Sequence, residues 1–386
     1  MQWRMMIFNH LSLAQKVTSL AALGLLGGIV LSWPLWFAAA RPTFPLLPIV
    51  GAASVASWWW SVVHAGLLLL LLVLVLIFPN QKKLRPALLL WLSILCCLDL
   101  NRLQPWIWFY ALVIAVWLFG QNEREMRHTW RWLLAAVYAW SGFHKLTPYF
   151  AEENFAWFCE AFPFTRPLAP YPALGYAVAL LETSLALGLL WRPTRRISRW
   201  LVVGFHAAII LMLSPLGLDW NTVVIPWNIA LAGLVWLVFA EADATTFPKN
   251  NGLRLLLALA GVAPLFHFAG GWPDALSWKL YSNTQPEGTF HAPAQALTCT
   301  VQEKAMWEEN AFDQGTKLLL DDWASREMRV PMVAADRTFR QTALYLCRCT
   351  TPADSAGLYI LTVRPWNRQG ERWQKIPCRV LLNKPD

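Results

Sequence analysis

The chain has 386 residues, 57% of them hydrophobic and only 14% charged, with a formal net charge of +9 and a mean hydropathy of +0.40. A soluble domain carries about 25% charged residues, so composition excludes an ordinary soluble globular protein. The net charge argues only weakly for nucleic acid as a partner, because up to Gly270 the basic residues lie in short loops between apolar runs, and none is expected.

Long apolar runs recur from Ser19 to Gly270, and a run of about 20 residues crosses a bilayer as a helix. Spans are predicted near residues 18–39, 57–78, 86–100, 105–120, 131–150, 173–191, 199–215, 223–240 and 253–269. In "WPLWFAAARP" bulky residues precede the small ones, so the first run reads as a retained span and not a cleaved signal peptide. Alternate connections carry Arg4 and Lys16, Lys82, Lys83 and Arg85, Arg124, Arg127 and Arg131, Arg192, Arg195, Arg196 and Arg199, and Lys249 and Arg254. The remaining connections offer only Arg41, Arg102 and Arg166. The positive-inside rule then puts the N-terminus inside and the C-terminus outside a bacterial inner membrane. The expected fold is an all-α polytopic membrane bundle of about nine spans, residues 1–271, followed by a small β-rich extracytoplasmic domain, residues 272–386.

Ionisable residues inside lipid cost a few kcal/mol each unless they face the bundle and find partners. In chain order the first set is Asp99, Asn101 and Arg102, at the break between the third and fourth spans, where an Asp99–Arg102 ion pair would cap the turn. "YAWSGFHKL" brings His144 and Lys145 to the outer part of the fifth span. Two readings of Lys145 stand side by side: a snorkelling lysine that reaches the headgroups, or a desolvated lysine able to act as a base. Ser141 and Gly142 are small enough for a neighbouring helix to pack closely there. Glu182 lies near the centre of the sixth span and His206 in the middle of the seventh. Each reads either as a hydrogen-bonded helix joint or as a proton-handling group. Asp219, Asn221 and Asn228 form a polar patch at the start of the eighth span. These groups gather in the middle or outer half of the membrane, which favours a site opening outward.

After Gly271 the chain turns polar, with strand-like alternation in "TALYLCRCT", "AGLYILTVRPW" and "CRVLLN". Cys299, Cys347, Cys349 and Cys378 fall here; in an oxidising space they are disulfide candidates. On one strand, Cys347 and Cys349 would share a face, so each is expected to pair elsewhere. Their spacing is not that of a zinc site, and no metal is expected.

"VYAWSGFHKL" and "LLETSLALGLLWRPTRRISRWLVVGFHAAI" resemble the HTTM-domain membrane proteins, a group that includes vitamin K-dependent γ-glutamyl carboxylase; parts of the pattern also resemble DoxX-like proteins. The stretch "CCLDLNRLQPWIWFYAL" resembles that family's earlier Leu-Asp turn, and "LSWKLYSNTQPEG" and "DDWASREMRVP" are similar to bacterial members. The resemblance implies Lys145 as catalytic base, with His144, Glu182 and His206 beside it, a basic loop at Arg195 and Arg196, and the Phe205–His206 pair. It places Asp99, Tyr138, Trp106 and Asn228 around a lipid-soluble quinone or hydroquinone. Trp106 stands near the place where the carboxylase has a functional histidine, so a retained base with an altered substrate is the form of the activity expected. The alternative is non-catalytic: a membrane scaffold, or a partner of an exported protein or peptide or of an electron-transfer protein, in which the polar groups join helices.

Overall fold

The computed structural model describes residues 11–383, apart from 42, 52–53, 55–56, 294–306, 310–314, 351–355 and 365–366. The chain is mostly helical, with a small antiparallel sheet in its C-terminal region. The long helices are α1 (Leu13–Leu31), α2 (Trp58–Ile77), α3 (Leu84–Leu98), α4 (Pro105–Phe119), α5 (Glu123–His144), α6 (Pro172–Leu190), α7 (Arg195–Leu213), α8 (Val224–Val238) and α9 (Asn251–Gly261). Among the described residues five helices are long and apolar enough to cross a membrane: α1, α2, α6, α7, and α9 with its continuation to Ala269. Helices α3, α4 and α8 are apolar but have 15 residues each, about 22 Å at 1.5 Å per residue.

Local signals set the helix ends. Asn122 caps α5, its side chain accepting from Glu125 N at 2.9 Å, with Glu123 and Glu125 in the first turn where the helix dipole favours acids. Asn250 caps α9, accepting from Gly252 N and Leu253 N. Pro105 and Pro172 sit in the first turns of α4 and α6, where no N–H is needed. Helix α5 starts well before the predicted fifth span and ends at His144, so Lys145 is its C-cap.

The chain forms two compact units. The first comprises Met1–Val30, Leu68–Trp91 and Pro105–Asn283. In it α5 packs along α6, and α7 along α8. The second comprises Leu31–Leu67, Leu92–Gln104 and Thr284–Asp386. Its sheet has strand order β2-β3-β1-β4-β5: β1 (Glu287–Pro293), β2 (Trp307–Glu309), β3 (Gly315–Leu319), β4 (Gly357–Arg364) and β5 (Asn367–Pro377). Phe290, Leu318, Leu358 and Ile376 line up in register on one face and are buried. Helices α10 (Leu320–Met328) and α11 (Asp336–Cys347) cover it, with the Phe339 ring directly over Gly288.

Two of the three expected strands are corrected. "TALYLC" forms the end of α11, and "CRVLLN" forms α12 (Cys378–Asn383); only "GLYILTVR" is a strand. The alternation misled because α11 is amphipathic, burying Phe339, Ala343, Leu346 and Cys347 at helical spacing. A disulfide joins Cys347 to Cys378. Cys349 remains a thiol, its Sγ 3.5 Å from Tyr345 O, and Cys299 lies outside the described residues.

Candidate functional site

Tyr138, Ser141 and Lys145 follow one another at three and four residues along α5, so they share one side of it. Gly142 permits the close crossing with α6. A Cβ there would fall against the Thr183 backbone nitrogen and hydroxyl, and 2.8 Å from Ala179 O. The crossing brings Glu182 to Lys145. Lys145 Nζ donates to Glu182 Oε2 at 2.8 Å, to Ser141 Oγ at 2.7 Å and to Ser141 O at 3.2 Å. Lys145 is 7% exposed and Glu182 5%. An ammonium has three protons, and each finds an acceptor here. The lysine does not snorkel.

Two turns earlier, Tyr138 Oη lies 2.7 Å from His206 Nε2, and His206 Nδ1 lies 2.7 Å from Asn228 Oδ1. Asn228 Nδ2 donates to Val224 O at 2.8 Å. That bond turns the amide oxygen toward the histidine, so Nδ1 carries the proton and Nε2 accepts from the tyrosine hydroxyl. Four helices thus meet through six buried polar side chains, and each has a partner.

His144 belongs to a different face of α5. Its ring stacks on Trp140 at 5.6 Å and meets the His267 ring edge-on at 5.4 Å; its Nε2 is buried with no hydrogen-bond partner among the described residues. His267 Nδ1 is 2.8 Å from Asp274 Oδ1, and Lys279 Nζ is 3.0 Å from Asp274 Oδ2. Burial would push the Asp274 carboxyl up, but the His267 hydrogen bond and the Lys279 charge hold it below the usual range. Burial lowers the Lys279 ammonium, against the pull of Asp274. Sequence spacing gave no sign of this group, because its members come from residues 144 and 267–279.

Trp106 packs into the space left by Gly28 of α1, where a Cβ would sit 2.7 Å from the indole. Asp99 lies in the second unit and pairs with Arg41, not Arg102. The reason is local. Asp99 caps the turn Leu100–Arg102 by accepting from Asn101 N at 3.1 Å, which turns its carboxylate away from the turn's end. Arg102 reaches the carbonyls of Leu35 and Leu95 instead, at 3.2 and 3.1 Å.

The arginines that the charge asymmetry singled out have a structural task as well. Arg131 donates to Val238 O at 3.0 Å and Glu241 O at 3.0 Å, and pairs with Asp243 at 2.7 Å. Arg195 donates to Asp243 O at 2.7 Å and Leu189 O at 3.0 Å. Together they clamp the segment after α8 to α5 and α7. Arg131 holds the Asp243 carboxyl below its ordinary range, although burial works the other way.

Among the described residues no group of His, Cys, Asp and Glu is arranged to hold a metal ion. Residues 124–219 match the family model of the methylamine utilisation protein MauE. The matched stretch runs from the start of α5 past α7, and so holds Tyr138, Ser141, Lys145, Glu182 and His206. No curated protein and no solved structure matches the chain. The match overturns the resemblance to HTTM-domain, DoxX-like and carboxylase proteins, and with it the carboxylase activity and the quinone that the resemblance implied. Small residues recur wherever two membrane helices cross closely, so "SGFHKL" and "LLETS" carry too little to separate the families. The same helices that hold the Lys145–Glu182 pair are those by which the chain is similar to MauE.

Proposed function

We propose that the chain is a multi-pass protein of a bacterial inner membrane that acts as a non-catalytic partner of an exported or electron-transfer protein serving amine utilisation. In this reading it has nine spans, with the N-terminus inside and the residues after 271 outside. Helices α3, α4 and α8 are the short spans, and α5 crosses with its charged first turns at the cytoplasmic boundary. Tyr138, Lys145, Glu182, His206 and Asn228 form the joint that fixes α5 to α8 relative to one another.

One observation carries the reading: the Lys145 ammonium uses all three protons on Glu182 and Ser141. A general base needs a free lone pair near its substrate, whereas a helix joint needs its polar groups matched with one another. The similarity to the methylamine utilisation protein MauE over residues 124–219 supports the same side of the choice.

The test replaces the pair by apolar residues of similar size. In a strain that lacks the chain, growth on methylamine is expected to fail. The Lys145→Met/Glu182→Leu double variant is expected to restore it, while Lys145→Met alone, which strands a carboxylate in the bundle, restores less. A double variant that reaches the membrane in normal amount yet leaves growth absent would show that the lysine acts chemically, and the reading would fall.

A further inference from the structure

The two edges of the sheet in the second unit are unequal. Among the described residues strand β2, at one edge, has three, Trp307–Glu309. Strand β5 has eleven, Asn367–Pro377, and among the described residues its ladder bonds go to β4 alone. An edge strand presents every second N–H and C=O outward, a template for a further strand. The register irregularity between Thr362 and Arg364 lies toward the hairpin end, and pairing from Gly357↔Pro377 to Thr362↔Arg372 is continuous.

The side chains along that stretch are Arg372, Trp373, Gln374 and Lys375, all exposed, with Trp373 61% exposed. Basic residues at an edge commonly keep copies of a protein from pairing with each other. That accounts for Arg372 and Lys375 but not for a tryptophan between them, because a large exposed indole promotes association. Trp373 and Lys375 share a face with Tyr359, over which the Lys375 ammonium lies 5.1 Å from the ring centroid. An added strand would meet an aromatic surface beside a positive charge on one face and Arg372 on the other.

We infer that the β5 edge is the docking strip for an extended segment of the partner protein, one that carries a carboxylate opposite Lys375 and an aliphatic or aromatic side chain over Trp373. The identity of the occupant rests on the partner reading above; the strip itself does not. Charge complementarity sets the class of segment: β5 holds Arg368, Arg372 and Lys375 against the single carboxylate Glu371.

The probe is a labelled peptide of two Glu-Thr-Val-Thr repeats, titrated against the full chain in nanodiscs and read by fluorescence anisotropy. It is expected to bind, more weakly as salt rises, and to quench Trp373. The Arg372→Glu/Lys375→Glu variant should weaken it roughly tenfold and bind the Lys-Thr-Val-Thr counterpart instead. Methylation of alternate peptide nitrogens on the pairing side should abolish binding with the charge unchanged. Equal binding of the methylated peptide would show simple charge attraction and overturn strand addition. Absence of binding would overturn it too, as would a chain that is dimeric and becomes monomeric on charge reversal, since β5 would then pair with a second copy. Each of these failures leaves the growth experiment with the Lys145 and Glu182 variants untouched, so the two conclusions fall separately.

Discussion

Lys145 Nζ and Glu182 Oε2 stand 2.8 Å apart across the α5–α6 crossing, with the remaining lysine protons on Ser141. Both side chains are buried, so removal of one partner leaves the other unpaired. Lys145→Met and Glu182→Leu are each expected to destabilise the bundle by about 3 kcal/mol, and the double variant by much less than the sum. A double-mutant cycle on thermal unfolding in nanodiscs measures this; additive losses would mean that the two side chains do not interact.

The Tyr138–His206–Asn228 chain makes an unequal prediction for its two ends. Tyr138→Phe takes one donor from His206 Nε2 and should cost about 1 kcal/mol. Asn228→Leu strands the Nδ1 proton in an apolar interior and should cost about 2 kcal/mol. Nitrogen chemical shifts of the imidazole report the tautomer directly, and the Nδ1–H form is expected in the unaltered chain. The Nε2–H form would reverse the assigned donors.

How much of this joint was legible in the sequence follows from what helices make visible. Depth within an apolar run depends only on counting, so Lys145, Glu182 and His206 stood out before any contact was known. Gly142 and Ser141 signalled a close crossing for the same reason. Which residue faces which depends on helix rotation and on the order of helices in space, and spacing along one chain carries neither. That is why adjacency groups His144 with Lys145 although its ring faces His267 and Phe268. It is also why adjacency points Asp99 to Arg102 when the partner is Arg41, 58 residues earlier. In the polar C-terminal region the period itself was ambiguous. Short amphipathic stretches such as "TALYLC" alternate well enough to pass for strands, and only the run of larger residues back to Phe339 marks the helix.

Asp321 gives the second unit a pH dependence of definite sign. Its Oδ1 accepts from Met332 N at 2.7 Å, yet burial, with Asp322 and Glu287 adding to it, pushes its carboxyl up to about 6. A raised carboxyl binds its proton more tightly in the folded state. The unit therefore loses stability as pH climbs from the ordinary carboxyl value of 3.8 through about 6, and is at a constant disadvantage above that. Asp321→Asn keeps an acceptor for Met332 and removes the charge. Hydrogen exchange of the α10 amides should slow in the variant at neutral pH and differ little from the unaltered chain near pH 4. An equal effect at both values would assign the change to packing.

The disulfide between Cys347 and Cys378 ties the end of α11 to the start of α12 across 31 residues, a stretch that includes β4 and β5. Both cysteines are buried, so the bond also fills core volume between the helix and the sheet edge. Closing a loop of that length in the unfolded chain stabilises the folded state by about 4 kcal/mol. Cys347→Ser and Cys378→Ser should each lose that amount, and the double variant no more than either, because one bond is broken in all three cases. Cys349, two residues beyond the bridge and partly exposed, should react with a maleimide without reductant, while Cys347 and Cys378 react only after reduction and unfolding. If Cys347 were alkylated in the oxidised, folded chain, the pairing would be wrong and Cys349 would become the bridging residue.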